Sequence, residues 1–489
     1  MNRTKVLAGL AAIASLFSFS SCISVDYSLG SAYVPSNQYI EIEVAEIDLP
    51  ICQQMADSIQ TSISSTATFG IIRSEEYGEF SAKAIFSITP AYDSTILGDN
   101  PVFKDAYATI ALSKAQYLED DQERIPQNIH VYQLNKEIDS SMIYSCSITR
   151  DDYDKTPVTF ENTIYTGGET FDIHFTDEFA KPILDMTFEQ LDSTELFVKS
   201  FYGIVVETDD LEEGAIGGRL NILDLSDSYM YLTYTSTNYE GRRRDTTLTF
   251  CLGSYFALSA YNSGSGKLID EGDPRKSIYM ESLSGIKPVV PAGELKNAIE
   301  SWAVDNGIDL SSLLVAKAAL TFPFEYTGNA DDYSNWPGSL YPCRRVLDTA
   351  GRYWYTALDE LDESEMDHGS ANYSLFQFRS DAALYVQDLI RTDYEDLTLE
   401  DDLWMIPTVE YTTTTTTSNP YSSYYSPYSS YYGSYYSSYY SSYYGYSSSY
   451  STTTTTYNYP DIYYYSQCAL NGTEAERHPT LRLTYTLIH

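Results

Sequence analysis

Positive charge is scarce in this sequence. Lys and Arg number 29 against 69 Asp and Glu, giving a formal net charge of −40. A surface of that sign repels phosphate backbones, whose binding depends on Lys and Arg displacing counterions, so nucleic acid is excluded as a partner. Most of the acidity serves solubility. Histidines number five, at His130, His174, His368, His478 and His489, and no two are close in the chain. No two cysteines have C-x-x-C spacing, so the ligand pattern of a transition-metal site is missing. A P-loop, a G-x-G-x-x-G fingerprint, H-E-x-x-H and G-x-S-x-G are all absent. No cofactor or metal is expected, no residue is assigned a catalytic role, and the chain is read as a non-enzyme. Carboxylate pairs occur at Asp151-Asp152, Asp209-Asp210, Asp331-Asp332 and Glu400-Asp401-Asp402. Two carboxylates can run a glycosidase, but among 69 acids such neighbours arise by chance. A polysaccharide hydrolase is therefore the weakest functional reading. Asn329 to Asn335 offers oxygen ligands suited to calcium, yet it lacks the spacing of a calcium loop and reads as a solvated turn.

Long apolar runs are equally rare. The clearest is Val6 to Phe19, preceded by Arg3 and Lys5 and followed by Ser20-Ser21-Cys22. A basic start, a short apolar segment and small residues before a cut describe a secretory signal peptide at 1–21. The run is too short for a permanent membrane helix. Cys22, directly after two small residues, resembles the bacterial lipobox cysteine that receives a diacylglyceryl group; Phe19 is a less usual residue at its position. Cleavage removes Arg3 and Lys5 and no acid, leaving 27 bases against 69 acids, a net charge of −42. The lipid on Cys22 would then make the membrane contact, and its two or three chains suffice for stable anchoring. Ile23, not Asp, follows Cys22, so the acidic inner-membrane retention signal known from other bacteria is missing, and the outer membrane is the expected location. The remaining Cys52, Cys146, Cys251, Cys343 and Cys468 are odd in number and widely spaced. They read as buried thiols or at most one or two disulfides.

What the chain has in quantity is Tyr, Thr, Ser and Phe, which favour strands over helices. Residues 22–38 are small and polar and suit a tether. Period-two alternation follows at 39–44, 82–88, 107–112, 129–134, 171–175, 203–207, 220–223 and 229–235. A short helix is expected over Thr176 to Met186, with Pro182 limiting its length. Tyr239 to Asp245 reads as a hairpin tip carrying Arg242, Arg243 and Arg244, the one concentrated positive patch, taken as a solvated loop. Residues 263–276, with Gly264, Gly266, Gly272 and Pro274, read as a linker. Beyond it, helices fit Glu294 to Val304 and Ser380 to Thr392, the second capped by Ser380, with a strand over Val315 to Phe324. Leu232-Thr-Tyr-Thr recurs as Leu483-Thr-Tyr-Thr. The expectation is mainly all-β: two β-sandwich or jelly-roll modules at 39–262 and 277–489, with a few short helices.

Residues 412–460 are almost wholly Tyr, Ser and Thr, without one charge between Glu410 and Asp461. The tract lies between two strand-like runs and reads as an overgrown hairpin loop. Tyr424, Tyr425, Tyr431, Tyr432, Tyr435 and Tyr436 are the candidate ligand contacts, since tyrosine joins an apolar ring to a hydroxyl. A disordered repeat without a role and self-association through uncharged strands are the competing readings.

Tyr279-Met-Glu-Ser-Leu-Ser-Gly-Ile-Lys-Pro-Val-Val-Pro, a helix, and then Leu314-Val-Ala-Lys-Ala-Ala-Leu-Thr-Phe-Pro resemble a Bacteroidota lipoprotein family labelled domain of unknown function 4270. Val315-Ala316 departs from the Asn usual there. Leu403-Trp-Met-Ile-Pro, Ala469-Leu-Asn-Gly, the closing Pro479-Thr-Leu-Arg-Leu-Thr-Tyr-Thr and, earlier, Phe69-Gly, Tyr77-Gly-Glu-Phe and His130-Val-Tyr-Gln-Leu-Asn-Lys-Glu-Ile are also similar to it. The resemblance covers nearly the whole mature chain outside 412–460. It implies an envelope lipoprotein of β architecture and carries no catalytic residues. The expected role is binding or adhesion to a glycan or protein at the cell surface. The alternative is a structural component of an envelope complex.

Overall fold

The computed structural model describes residues 42–488 apart from 57–58, 62–64, 94, 119–123, 139–143, 145–147, 161–162, 329–332, 350, 359–367 and 418–450. Strands dominate, and the protein is all-β with a few short helices. The first half carries β1 (Glu43–Asp48), β2 (Cys52–Met55), β3 (Thr66–Ser74), β4 (Gly78–Pro90), β5 (Asp99–Tyr117), β6 (Gln127–Gln133), β7 (Thr163–Tyr165), β8 (Thr170–His174), β9 (Ile204–Thr208), β10 (Gly217–Thr237) and β11 (Arg243–Ser263). The second carries β12 (Ser277–Glu281), β13 (Ile286–Val290), β14 (Leu313–Pro323), β15 (Leu340–Leu347), β16 (Tyr353–Ala357), β17 (His368–Asn372), β18 (Gln377–Asp381), β19 (Leu403–Thr417), β20 (Ser451–Pro460), β21 (Gln467–Asn471) and β22 (Thr480–Leu487). Helices are α1 (Asp177–Ala180), α2 (Phe188–Asp192), α3 (Thr194–Ser200), α4 (Lys267–Glu271), α5 (Ala292–Asn306) and α6 (Ala383–Arg391).

Alternation sets the faces. In β8, Phe171 and Ile173 are buried while Asp172 and His174 face solvent, as a strand with one wet face requires. A nine-stranded sheet, β7-β6-β9-β4-β11-β10-β5-β8, takes β3 across β10 and β4. The pairings β3–β4, β4–β11, β11–β10 and β10–β3 therefore close a ring of hydrogen-bonded strands. Two glycines permit the close approach of β3 and β10. Gly70 (φ 128°) and Gly218 (φ 102°) lie so close to the opposing strand that an added Cβ would stand 2.2 Å from the carbonyl oxygens of Arg219 and Ile71 respectively. Phenylalanines 69, 86, 175, 197 and 250 fill the interior.

The second half builds a five-stranded sheet, β1-β22-β14-β18-β17, and a six-stranded one, β16-β15-β19-β13-β2 with β20 on β19. Strands β1 and β2, early in the chain, thus pair with β22 and β13 rather than with the nine-stranded sheet. Helix α5 buries Leu295 and Ile299, and α6 buries Val386 and Leu389, in one core with β1, β14, β19 and β22. A further core joins the halves, with Phe80 and Tyr261 of the first packing among Trp404, Ile462 and Tyr465 of the second.

Several local expectations change. Residues 176–186 form not one helix but α1 and a 3-10 turn over Lys181–Asp185, because Pro182 starts a new segment. The separate strands at 220–223 and 229–235 are one strand, β10, with an irregular register between Asp224 and Tyr229. The hairpin turn is tighter than 239–245: Asn238 Oδ1 accepts the Glu240 and Arg242 N–H groups, and Arg243 and Arg244 already belong to β11. Residues 263–276 contain α4. Ser380 does not cap a helix; it lies in β18, and α6 begins after Ala382. The repeated Leu-Thr-Tyr-Thr lies in β10 and β22, which have different neighbours. Cys52, Cys251, Cys343 and Cys468 are free thiols.

One polar knot lies between the halves. Lys287 is fully buried, and its ammonium donates to the carbonyls of Glu281, Leu283 (2.9 Å) and Gly285 (2.9 Å). The buried Glu281 carboxylate accepts from Ser263 Oγ and from the Tyr465 hydroxyl at 2.7 Å. Burial pushes the Glu281 carboxyl up and the Lys287 ammonium down, to about 7. Three acceptors match the three donors of an ammonium group and oppose that fall. Gly285 completes the knot, since a Cβ there would stand 2.2 Å from Glu281 Oε2.

Candidate binding surface

Strand β19 enters the six-stranded sheet, where Leu403 and Trp404 pair with β13 and Leu403 to Pro407 pair with β15. From Thr408 outward its ladder partner is β20, through an unbroken register from Thr408↔Pro460 to Thr417↔Ser451. The result is a two-stranded ribbon of ten rungs, about 33 Å long at the usual strand rise. Its consecutive threonines favour extended backbone through β-branching. An isolated hairpin is marginal in water, so the base matters. There the Ser339 and Thr408 hydroxyls meet at 2.8 Å, and the Asp461 N–H donates to the Pro407 carbonyl at 2.8 Å. Asp461 is half-buried, and its carboxylate accepts the N–H groups of Tyr463 and Tyr464 at 3.0 Å. Burial raises this carboxyl above the ordinary aspartate value. Gln116 clasps the backbone N–H and carbonyl of Tyr465, and the Tyr261 hydroxyl donates to the Ile462 carbonyl. The chain leaving the ribbon is thus clamped against the first half.

Next to this base lies an aromatic patch. Tyr333 packs on Trp336 and Tyr373, with centroids 5.0 and 5.2 Å apart, and Tyr326 packs on Phe376 at 5.5 Å. Buried Phe324 contacts Tyr333, Trp336, Tyr373 and Phe376 from below. Tyr326, Tyr373 and Leu375 remain 60%, 46% and 54% exposed. The stretch 333–339 serves both features: Tyr333 and Trp336 belong to the patch, the Asn335 carbonyl accepts from Gln467 N–H, and Ser339 meets the ribbon. Phe376 has φ +51°, a conformation that costs a non-glycine residue about 1–2 kcal/mol. Three long-range bonds impose it. Phe324 N–H donates to the Phe376 carbonyl at 2.9 Å, and the Arg477 guanidinium donates to the carbonyls of Leu375 and Phe376. The spacing of these aromatics gave no warning, because they come from two separate connections, β14 to β15 and β17 to β18.

Cys22 and the tyrosines at 424, 425, 431, 432, 435 and 436 lie outside the described residues, as do Asp331 and Asp332 of the calcium-like stretch. The described carboxylate pairs serve local structure. Asp152 accepts from the Thr149 N–H and hydroxyl and pairs with Lys136. Asp209 binds Asn128 and His130, which hold its carboxyl below the usual range. Asp401 closes a turn on Thr398, and Asp402 accepts the first N–H of α5 from Ala292. Among the described residues, no group of three or more His, Cys, Asp and Glu is placed to hold a metal ion. A cavity of about 650 Å³ beside β5 is bordered by Lys114, Arg124 and the turn Tyr165–Glu169. Its Lys114 ammonium already sits 4.6 Å over the Tyr464 ring.

The described chain is thus an all-β protein from which one threonine-rich hairpin extends, with an aromatic patch beside its base. No family model, no curated protein and no solved structure matches it. No helix among the described residues is long and apolar enough to cross a membrane.

Proposed function

We propose that this is a non-catalytic, outer-membrane lipoprotein, anchored through Cys22, that displays its tyrosine-rich tract to a glycan or protein ligand outside the cell. The observation carrying this reading is the β19–β20 ladder, a ten-rung ribbon clamped at its foot whose two strands flank residues 418–450 in the chain. Tyrosine suits such a role because its ring offers large contact area at low entropic cost and its hydroxyl adapts to polar partners. Likeness to the family labelled domain of unknown function 4270 belongs to the same proposal. The test is protease shaving of intact cells, with a periplasmic protein as leakage control. Cleavage within 418–450 on whole cells is expected, together with loss of ligand binding when the tract is replaced by Asn-Gly. Protection until lysis would overturn surface display. It would favour the second reading, an envelope-complex component, for which the open edges of the ribbon beyond Pro407 offer strand addition to a partner.

A further inference from the structure

We infer that the aromatic patch around Tyr326, Tyr373 and Phe376 is a binding site for neutral glycans. Three large side chains, Tyr326, Tyr373 and Leu375, stand 46–60% exposed within one small region, and contiguous apolar exposure of this kind marks interaction sites. The Tyr373 hydroxyl has no hydrogen-bond partner among the described residues, so its ring presents an apolar face and a free donor together. That combination fits a pyranose, which offers C–H groups on its faces and hydroxyls at its rim. The second observation is independent of exposure. Phe376 is held in left-handed backbone by Phe324 and Arg477, and bulky residues keep such strain where the surroundings over-determine it, typically at functional positions.

Charge decides which glycan. The protein carries a net charge of −40, and the nearest guanidinium, Arg477, is spent on the Leu375 and Phe376 carbonyls. The adjacent Glu325 carboxylate is occupied by Asn471 at 2.8 Å and adds a further negative charge. Acidic polysaccharides are repelled, so the occupant is an uncharged one.

The site tests separately from the displayed tract, since none of its residues belongs to 418–450. The mature full-length protein is run by affinity electrophoresis through gels containing an uncharged β-glucan, α-glucan, mannan or galactan, with polygalacturonate as the anionic control. Retardation by at least one neutral polymer is expected. Tyr373→Ala and Tyr326→Ala, both at exposed rings, should each weaken it about tenfold or more with an unchanged unfolding midpoint. Tyr231→Ala, which breaks the half-buried Tyr107–Tyr231 pair on another sheet face, should leave it intact. No retardation by any of the four neutral polymers, retardation by polygalacturonate alone, or retardation surviving both patch variants would overturn the assignment. Each of these results leaves surface display of 418–450 to be decided by the shaving experiment.

Discussion

Gly285→Ala should be far more damaging than its chemistry suggests. The added Cβ would stand 2.2 Å from Glu281 Oε2 and 2.6 Å from the Glu281 Cβ and Cγ. Glu281 is fully buried and cannot swing into solvent. Overpacking alone costs about 1–3 kcal/mol. Displacing the carboxylate also breaks its bonds from Ser263 and Tyr465, each worth about 1.5–3 kcal/mol because the acceptor is charged. A loss of roughly 3–5 kcal/mol follows, because the two costs partly overlap. With an m-value of about 3 kcal/mol per molar, the urea midpoint falls by about 1 M or more. Fluorescence of the buried Trp404, at the seam between the halves, reports the transition. Gly293→Ala is the matched control: it lies in α5 with nothing within 4 Å of an added Cβ, and it should be neutral or stabilising by up to about 1 kcal/mol. A double-mutant cycle identifies the cause: in a Glu281→Ala background the Cγ and carboxylate contacts are gone and only the 2.6 Å contact to the residue-281 Cβ remains, so Gly285→Ala should cost less than it does in the unaltered protein. A midpoint shift under about 0.2 M in the single variant, or strict additivity in the cycle, refutes the geometry of the knot.

Asp461 supplies a pH signature. Its folded-state carboxyl is raised by burial, so above the unfolded value near 3.9 the folded state binds more protons and stability falls as pH rises through the folded value. Asp461→Asn, which keeps an acceptor for the Tyr463 and Tyr464 N–H groups, should flatten that fall in urea midpoints measured from pH 4 to 7; an unchanged slope contradicts it. Thr414→Pro with Thr415→Pro removes consecutive N–H donors from the ribbon and should open 411–417 to limited proteolysis while the body keeps its melting temperature. Unaltered cleavage would mean that the ladder does not protect those residues. Arg477→Ala deprives the Leu375 and Phe376 carbonyls of their donor and should cost about 1–3 kcal/mol. At position 376 itself, Phe376→Gly should be less damaging than Phe376→Ala by about 1 kcal/mol, since both delete the packed ring and only glycine takes the positive φ without strain. Equal losses for the two variants in thermal unfolding would count against strain at Phe376.

Some strands with one wet face were legible, β8 among them, because alternation there records burial directly. The run 39–44 marked β1 on the wrong face, since Val44 is exposed while Ala45 and Ile47 are buried. β10 was split because an irregular register between Asp224 and Tyr229 interrupts its period. Ser380 looked like a helix cap by residue type, yet the turn from β18 into α6 is made by Asp381, whose carboxylate accepts the N–H groups of both Ala318 and Ala382. Charged residues mislead more deeply. Glu281, Lys287 and Arg219 are charged and yet wholly buried, and nothing local in the sequence announces the distant hydroxyls and carbonyls that satisfy them. The aromatic patch escaped for the same reason: Tyr326, Tyr333 and Tyr373 are neighbours only after β14, β17 and β18 have paired.

A displayed tract is useful to an anchored protein only if anchor and display are mechanically joined. Under the proposed lipidation, the tether from Cys22 enters the fold at β1, whose six rungs with β22 tie the start of the fold to its end. The ribbon leaves through β19. Ala45 and Ile47 of β1 and Leu403 and Met405 of β19 lie in one continuous core, so a pull on β19 reaches β1 through packed side chains. The return strand meets the second restraint, because Tyr465 is held by Gln116 of β5 and by Glu281 of the knot. Loosening the knot should therefore weaken the foot of the ribbon as well as the seam. Gly285→Ala provides that test: hydrogen exchange at Tyr465 and Gln467 should rise with the loss of stability, and protection unchanged there would uncouple the two.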